Sequence, residues 1–301
     1  MALYLTNVTG MKALAAFGQN QAALSSVYER LSSGLRINSA RDDPAGLQIA
    51  DRMTTEINGF RQGSRNVNDG ISVAQTAEGA LDEIKSMLQR VRTLAVQAAN
   101  GTNTSSDRAA LSAESRQLCA EITRIACRTT YAGARLLCGV DSPSSERKLF
   151  DSHGQIRIQV SGHAGDTIAI TGLSAGFTFS ALAMGPGYDA QAVKKGDESN
   201  YFDLGSAESS QAVLKHIDKA INKVSMAQGT LGGVQQRFES VLRLNDTMRN
   251  NLSDARSRIQ DTDYAEEASN LAKAAVLAQI MPAILKQIYQ QKSLILSLLQ
   301  G

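Results

Sequence analysis

Residues 81–98 read LDEIKSMLQRVRTLAVQA, and the placing of their apolar residues decides the fold class. Leu81, Ile84, Leu88, Val91, Ala95 and Ala98 follow one another at alternating intervals of three and four. A half-buried strand would alternate every second residue. This stripe is a heptad seam on one face of a helix. Gly101 ends the helix, and Thr102–Asp107 reads as a loop holding N-cap candidates. Leu111, Ser115, Leu118, Ile122 and Ile125 then form a stripe on a second helix. Two antiparallel helices joined by a short loop are the simplest arrangement.

The same rhythm returns near the other end. Leu231, Val234, Phe238, Val241, Asn245, Met248, Leu252, Ala255 and Ile259 again step by three and four, with Ser206 as N-cap candidate upstream. Asp263, with Glu266 three residues on, resembles a capping box in carboxylate form. Tyr264, Ala268, Leu271, Ala275 and Ala278 continue a seam beyond it. Upstream of residue 81, Ala22–Leu31 and Gly46–Phe60 also read as helices. The connector between them holds Gly34, suited to a left-handed C-cap, and Asp43-Pro44, an N-cap followed by a first-turn proline.

The middle differs. Gly139–Gly205 is rich in Gly, Ser and Asp. Ile156, Ile158 and Val160 alternate with polar residues, as do Ile168 and Ile170, and His163-Ala164-Gly165-Asp166 lies between, so a β-hairpin is expected. Lys194–Asn200 reads as a surface loop. The expected fold is mainly α: an elongated antiparallel helical bundle or coiled coil built from both chain ends, with a small central β-hairpin region. An arm of about 35 residues would be about 50 Å long, which makes the expected body a rod. The expected divisions are an inner coiled-coil arm and connector (1–43), two halves of a helical rod (44–140 and 206–260), a β-rich insertion (141–205) and a C-terminal inner arm (261–301).

Composition narrows the function. Of 301 residues 43% are hydrophobic, enough for a core, but only 5% are aromatic and none is Trp. That suits helices packed through thin seams better than a compact enzyme. The net charge of +2 argues against a nucleic-acid surface, which needs clustered basic charge. No apolar run reaches a membrane span; Val276–Leu285 is short and interrupted by Gln279 and Pro282. Met1–Gly10 lacks the features of a secretory signal. Cys119, Cys127 and Cys138 match no CxxC pair, and His153, His163 and His216 are scattered, so neither metal nor cofactor is expected.

The two ends pose the main physical problem. Met1–Arg30 and Ala265–Gly301 carry apolar stripes beyond the paired core. Either they form a second intramolecular coiled coil or they bind other subunits. Short amphipathic helices are marginal in water, so both ends are expected to be poorly ordered in the monomer and to fold on association. Head-to-tail contacts of that kind propagate as a filament.

Specific motifs support this. Leu31–Gly46 (LSSGLRINSARDDPAG), Arg65–Ser72, Ala77–Ala80 and Leu88–Gln97 resemble the N-terminal signature of bacterial flagellins. Leu231–Phe238, Ala255–Ala265 and Leu296–Leu299 are similar to the family's C-terminal region. The resemblance implies a filament subunit of the bacterial flagellum, exported without a cleaved signal to an extracellular position. It implies self-association, with subunit-interface candidates at Arg36, Asn38, Arg41, Asp42, Asp43, Leu296, Leu298 and Leu299. It further implies an export chaperone on the C-terminal arm, filament cap and hook-junction proteins as partners, and an innate immune receptor reading Gln89, Arg90, Leu94 and Glu114. The chain departs from the family in its three cysteines, in Lys292, and in Pro282, which predicts a kink or break near Ala278–Pro282.

Other readings compete. A hook–filament junction protein shares such ends, and an adhesin or receptor ligand would act as a monomer. Gly172-Leu173-Ser174-Ala175-Gly176 matches the G-x-S-x-G elbow of a secreted serine hydrolase, with Ser174 as nucleophile. That elbow needs a helix straight after Ser174, and Gly176–Ser180 is a poor helix start. Asp42-Asp43 reads as a turn and cap rather than an acid/base pair.

Overall fold

The computed structural model describes residues 7–139, 149–183, 192–195 and 200–299, with the side chains of 291–299 outside the description. The chain divides into two compact units, Met1–Ile57 with Asn250–Gly301, and Asn58–Arg249. The fold is mainly α. Its long helices are α1 (Val8–Ser33), α2 (Pro44–Ala98), α3 (Ser105–Arg128), α5 (Ala207–Gln260) and α6 (Tyr264–Leu299); the β segments and a short α4 (Phe179–Ala183) lie in sequence between α3 and α5.

The unit Asn58–Arg249 holds a continuous core. The seam residues Leu81, Ile84, Leu88, Val91, Ala95 and Ala98 are all fully buried, together with Val213, Ile217, Val224, Leu231 and Phe238 of α5. Polar links along the flanks fix the direction of pairing. Arg92 meets Asp218 at 2.8 Å, Lys85 donates to Gln228 at 3.1 Å, and Gln235 donates to Glu78 at 2.7 Å. As α2 numbers fall those of α5 rise, so the helices are antiparallel. Helix α3 starts at Thr104 with a reciprocal capping box to Asp107 and buries Ser115, Cys119, Ile122 and Ala126. The buried line thus passes beside Leu111, Leu118 and Ile125, which are only partly buried.

The β segments form three separate antiparallel pairs. They are β1 (Thr130–Tyr131) with β2 (Ala134–Arg135), β3 (Ile156–Gln159) with β4 (Thr167–Ile170), and β5 (Val193–Lys195) with β6 (Asn200–Phe202). The expected hairpin is present in register, Ile156 facing Ile170 and Ile158 facing Ile168. Its backbone lies close to α2: a Cβ on Gly59 would come within 2.7 Å of the Gly162 Cα. Asn245 fills a seam position with a buried amide that donates to the Val160 carbonyl at 2.9 Å. Where sheet backbone meets a helix, the seam needs a donor rather than a hydrophobe.

Three expectations need correction. The helices read at 46–60 and 81–98 are one helix of 55 residues, because the Gly positions between them do not interrupt it. Lys194–Asn200 is not simply a loop: its two ends pair as β5 and β6, while 196–199 fall outside the described residues. Pro282 does not break α6, which runs through it to Leu299. The proline sits on an exposed position, where water can reach the backbone carbonyl it leaves unpaired. The uninterrupted stretch Tyr264–Gln290 is therefore long and apolar enough to cross a membrane by length and composition, contrary to the expectation drawn from shorter runs.

Candidate assembly surfaces

The connector between α1 and α2 is closed by its own polar groups. Gly34 ends α1 in the left-handed region (φ 73°), and its N–H reaches the Arg30 carbonyl at 2.8 Å. A side chain there would also collide with the Tyr264 hydroxyl, at 2.9 Å from the added Cβ. Leu35 bridges Asp261 antiparallel, and the Arg36 N–H donates to the Gln260 carbonyl at 2.6 Å. The Arg36 guanidinium donates to the Ile259 carbonyl at 2.7 Å, at the C-terminal end of α5 where a cation opposes the helix dipole.

The acidic pair is used up in turns. Asp42 Oδ2 accepts from the backbone N–H groups of Ser39 and Asn38 and from the Ser39 hydroxyl. The Ser39 backbone bond, with the others, holds its carboxyl below the usual carboxylate range. Asp43 caps α2, accepting from Gly46 N–H at 2.9 Å and Ala45 N–H at 3.1 Å. Asn38 donates to the Leu35 carbonyl at 3.1 Å. Arg41 is exposed and makes no hydrogen bond or ion pair among the described residues. The cap-and-turn reading of the two aspartates therefore holds.

Helices α1 and α6 pack against each other, which is the intramolecular of the two readings open for the ends. The polar contacts are specific. Buried Asn20 donates to the Ala274 carbonyl at 3.0 Å, and Arg30 meets the buried Glu267 at 3.4 Å, with Asn270 donating to the second Glu267 oxygen at 3.1 Å. Apolar burial is thin. In this unit Val27, Ile37, Ala50, Ile57 and Ala274 are the buried hydrophobic residues among those described. Met11, Leu14, Val276, Leu277, Ile280 and Ile284 are all exposed. The candidates Leu296, Leu298 and Leu299 lie in the last turns of α6, outside the described side chains.

The four receptor candidates separate. Arg90 and Glu114 form a two-pronged ion pair, with Nε and a terminal nitrogen 2.9 and 2.7 Å from one carboxylate oxygen. Gln89 is exposed beside them. Leu94 is only 1% exposed and belongs to the core beneath that face. The G-x-S-x-G stretch is a turn: no helix follows Ser174, and Phe179 opens α4 only later. Its glycine has a packing duty instead. A Cβ on Gly176 (φ 71°) would come within 3.0 Å of Gly139 and 3.1 Å of the Cys138 carbonyl carbon.

Residues 5–142 match the bacterial flagellin N-terminal helical region and 214–299 the bacterial flagellin C-terminal helical region. The chain belongs to the bacterial flagellin family. This flagellin is 36% identical over 296 residues to a flagellin of Halalkalibacterium halodurans and 37% identical over 307 residues to one of Bacillus subtilis, covering 98% of each chain in both cases. Its fold also resembles a Vibrio parahaemolyticus structure described as a flagellar hook-associated protein (TM-score 0.53, 15% identity, 73% of this chain and 100% of that one), a likeness of fold alone. The flagellin is a structural filament subunit. Neither the junction-protein nor the hydrolase reading is favoured: the near-full-length relatives are flagellins, and Ser174 lacks its helix.

Proposed function

We propose that this flagellin polymerises through its terminal helices, whose exposed apolar rows find burial against neighbouring copies. The observation that carries the reading is the contrast on α6, where Ala274 is the buried apolar residue among those described while Val276, Leu277, Ile280 and Ile284 stay exposed. Exposed apolar surface on this scale marks an interaction site. Helices α1 and α6, held together by so few buried side chains, gain most of their order on assembly. In this reading 1–43 and 261–301 are the inner arms, 44–140 and 206–260 the outer rod, and 141–205 a small outer element.

Arg41 is the connector residue best placed to reach a neighbour, because Arg36, Asn38, Asp42 and Asp43 already satisfy groups of their own chain. Leu296, Leu298 and Leu299 extend the same apolar interface. The subunit is not an enzyme; it leaves the cell carried by a chaperone on the C-terminal arm, and meets cap and junction proteins at the filament ends. Gln89, Arg90 and Glu114 form the exposed face an innate receptor reads, supported by Leu94 below. Purified protein added to sheared filament fragments should lengthen them under the electron microscope. Protein that is folded but never adds to seeds defeats the proposal.

A further inference from the structure

Cys127 lies in the last turn of α3, and the chain then makes the hairpin β1–β2 and returns. The return is fixed by backbone geometry. Ala132 (φ 49°) and Gly133 (φ 84°) both take positive φ, the signature of a tight two-residue hairpin turn. Tyr131 pairs with Ala134 and Thr130 with Arg135, and the Leu136 N–H donates to the Thr129 carbonyl at 3.1 Å. Each residue forward is matched by one residue back. The returning strand thus carries Cys138 back toward the last turn of α3, where Cys127 sits. Cys138 is close enough to Cys127 to interact with it, and its thiol adds to burial in pushing the Cys127 thiol up.

Both partners are held in place. Cys127 is anchored by α3, whose neighbouring Ala126 is buried. On the other side, Leu136 and Leu137 are buried, and the Phe177 N–H donates to the Leu137 carbonyl at 2.7 Å. Gly176 packs against the backbone of Cys138 and Gly139. Cys127 and Cys138 are themselves only half-buried, so a small reagent can reach them. Cys119 differs: it is fully buried, and burial pushes its thiol up to about 12. It also lies eight residues from Cys127 on the same helix, about 12 Å along the axis, out of disulfide range.

We propose that Cys127 and Cys138 form a reversible disulfide site that exchanges with small-molecule disulfides, closing the α3–β2 corner outside the cell and opening it in a reducing compartment. The physiological part rests on the reading of this chain as an exported filament subunit; the exchange chemistry does not. One thiolate of the pair attacks a sulfur of the external disulfide, forming a mixed disulfide and releasing one small thiolate. The second protein thiolate attacks the protein sulfur of that mixed disulfide, forming the Cys127–Cys138 bond and releasing the other. The protein loses two protons and two electrons, and the external disulfide is reduced to two thiols. Reduced, the chain carries no covalent loop to hinder its export. Oxidised, a twelve-residue ring restricts the unfolded chain and favours the folded corner. Burial and the Cys138 thiol raise Cys127 to about 11, so exchange is slow at neutral pH and equilibrium must be awaited.

The test uses the full-length reduced protein, equilibrated with oxidised glutathione, quenched with an alkylating agent in denaturant and digested with trypsin. Cleavage after Arg128 and Arg135 separates the two cysteines, so an intact bond appears as the Ile125–Arg128 peptide linked to the one beginning at Leu136, two hydrogens lighter than the pair. Alkylatable thiols should fall from three to one, with the survivor at Cys119. Reduced glutathione should restore all three. Stable glutathione adducts on Cys127 and Cys138 without the linked peptide, or cross-links joining two chains, overturn the proposal. Cys127→Ser and Cys138→Ser must each abolish the linked peptide, and each should leave the remaining partner trapped as a glutathione adduct. Filament elongation assayed on the same oxidised sample separates this result from the assembly reading, since closure occurs whether or not the chain polymerises.

Discussion

Helix α2 runs through both compact units, and its apolar residues have different fates in each. From Leu81 to Ala98 every seam residue is fully buried, within a cluster that also takes in α3, α5 and the β pairs. In its first turns, within the other unit, Ala50 and Ile57 are buried but Ile49 is 44% exposed. The same contrast separates α5 within Asn58–Arg249 from α6. In the unit Asn58–Arg249 the seams are covered by other helices and by the β segments. Among its described residues the terminal unit consists of helical segments and the connector, and few of its apolar side chains are buried. A heptad stripe therefore states that a face wants burial; it does not state who covers it. Where the chain supplies the cover, the stripe is core, and where it does not, the stripe is available to a partner.

The contrast can be broken most decisively by removing residues 265–301. Elongation from seeds should vanish, while the helical circular dichroism melt of Asn58–Arg249 keeps its midpoint. Loss of that midpoint would mean the core depends on the terminal arm. Next in size are paired point changes. Phe238→Ala, in the core, should lower unfolding stability in urea by about 3–5 kcal/mol. Ile280→Ser, on the exposed face of α6, should stay within about 0.5 kcal/mol of the parent in the monomer while slowing elongation. Equal stability losses would erase the distinction between the units.

Smaller effects sharpen it. Asn245→Ala removes the buried donor to the Val160 carbonyl and should cost about 1–3 kcal/mol by the same urea titration, with the exchange protection of the β3–β4 hairpin reduced alongside. Thr104→Ala, which deletes one half of the α3 capping box, should cost about 1 kcal/mol. The smallest effect is one of pH. Hydrogen bonds from Thr104 hold the Asp107 carboxyl below its ordinary 3.8, as those from Ser39 hold Asp42. A depressed carboxylate contributes stability that is present above the unfolded value and lost as pH falls through the folded one. Stability should therefore drop on acidification below about pH 4, and Asp107→Asn should flatten that part of the curve in thermal melts.

Much of this was legible before any coordinates. Local signals are read from neighbours in the chain, and those were decisive: the heptad seam at 81–98, the Gly34 cap, Asp43 before Pro44, and the alternation in 156–170. What escaped was of two kinds. Residues 46–98 looked like separate helices because glycines dilute the pattern, yet Gly59 sits there to let the β3–β4 hairpin approach. Leu94 was named with Gln89 and Arg90 by the family resemblance alone, and the turn of the helix carries it into the core while those two stay exposed. In the G-x-S-x-G stretch the poor helix start after Ser174 already spoke against a catalytic elbow; what stayed illegible is that Gly176 packs against the backbone of Cys138.

The sequence by itself determined the helical arms, their caps, the central hairpin and the family, because periodicity and capping are short-range properties of the chain. Only the tertiary structure decided which stripes are core and which are open, why Asn245 occupies a seam position, and that Cys127 meets Cys138. Those facts depend on which distant backbone arrives at a given face. Ten residues lie between the two cysteines in sequence, and it takes the positive-φ turn at Ala132–Gly133 to send the chain back toward α3 and bring them together.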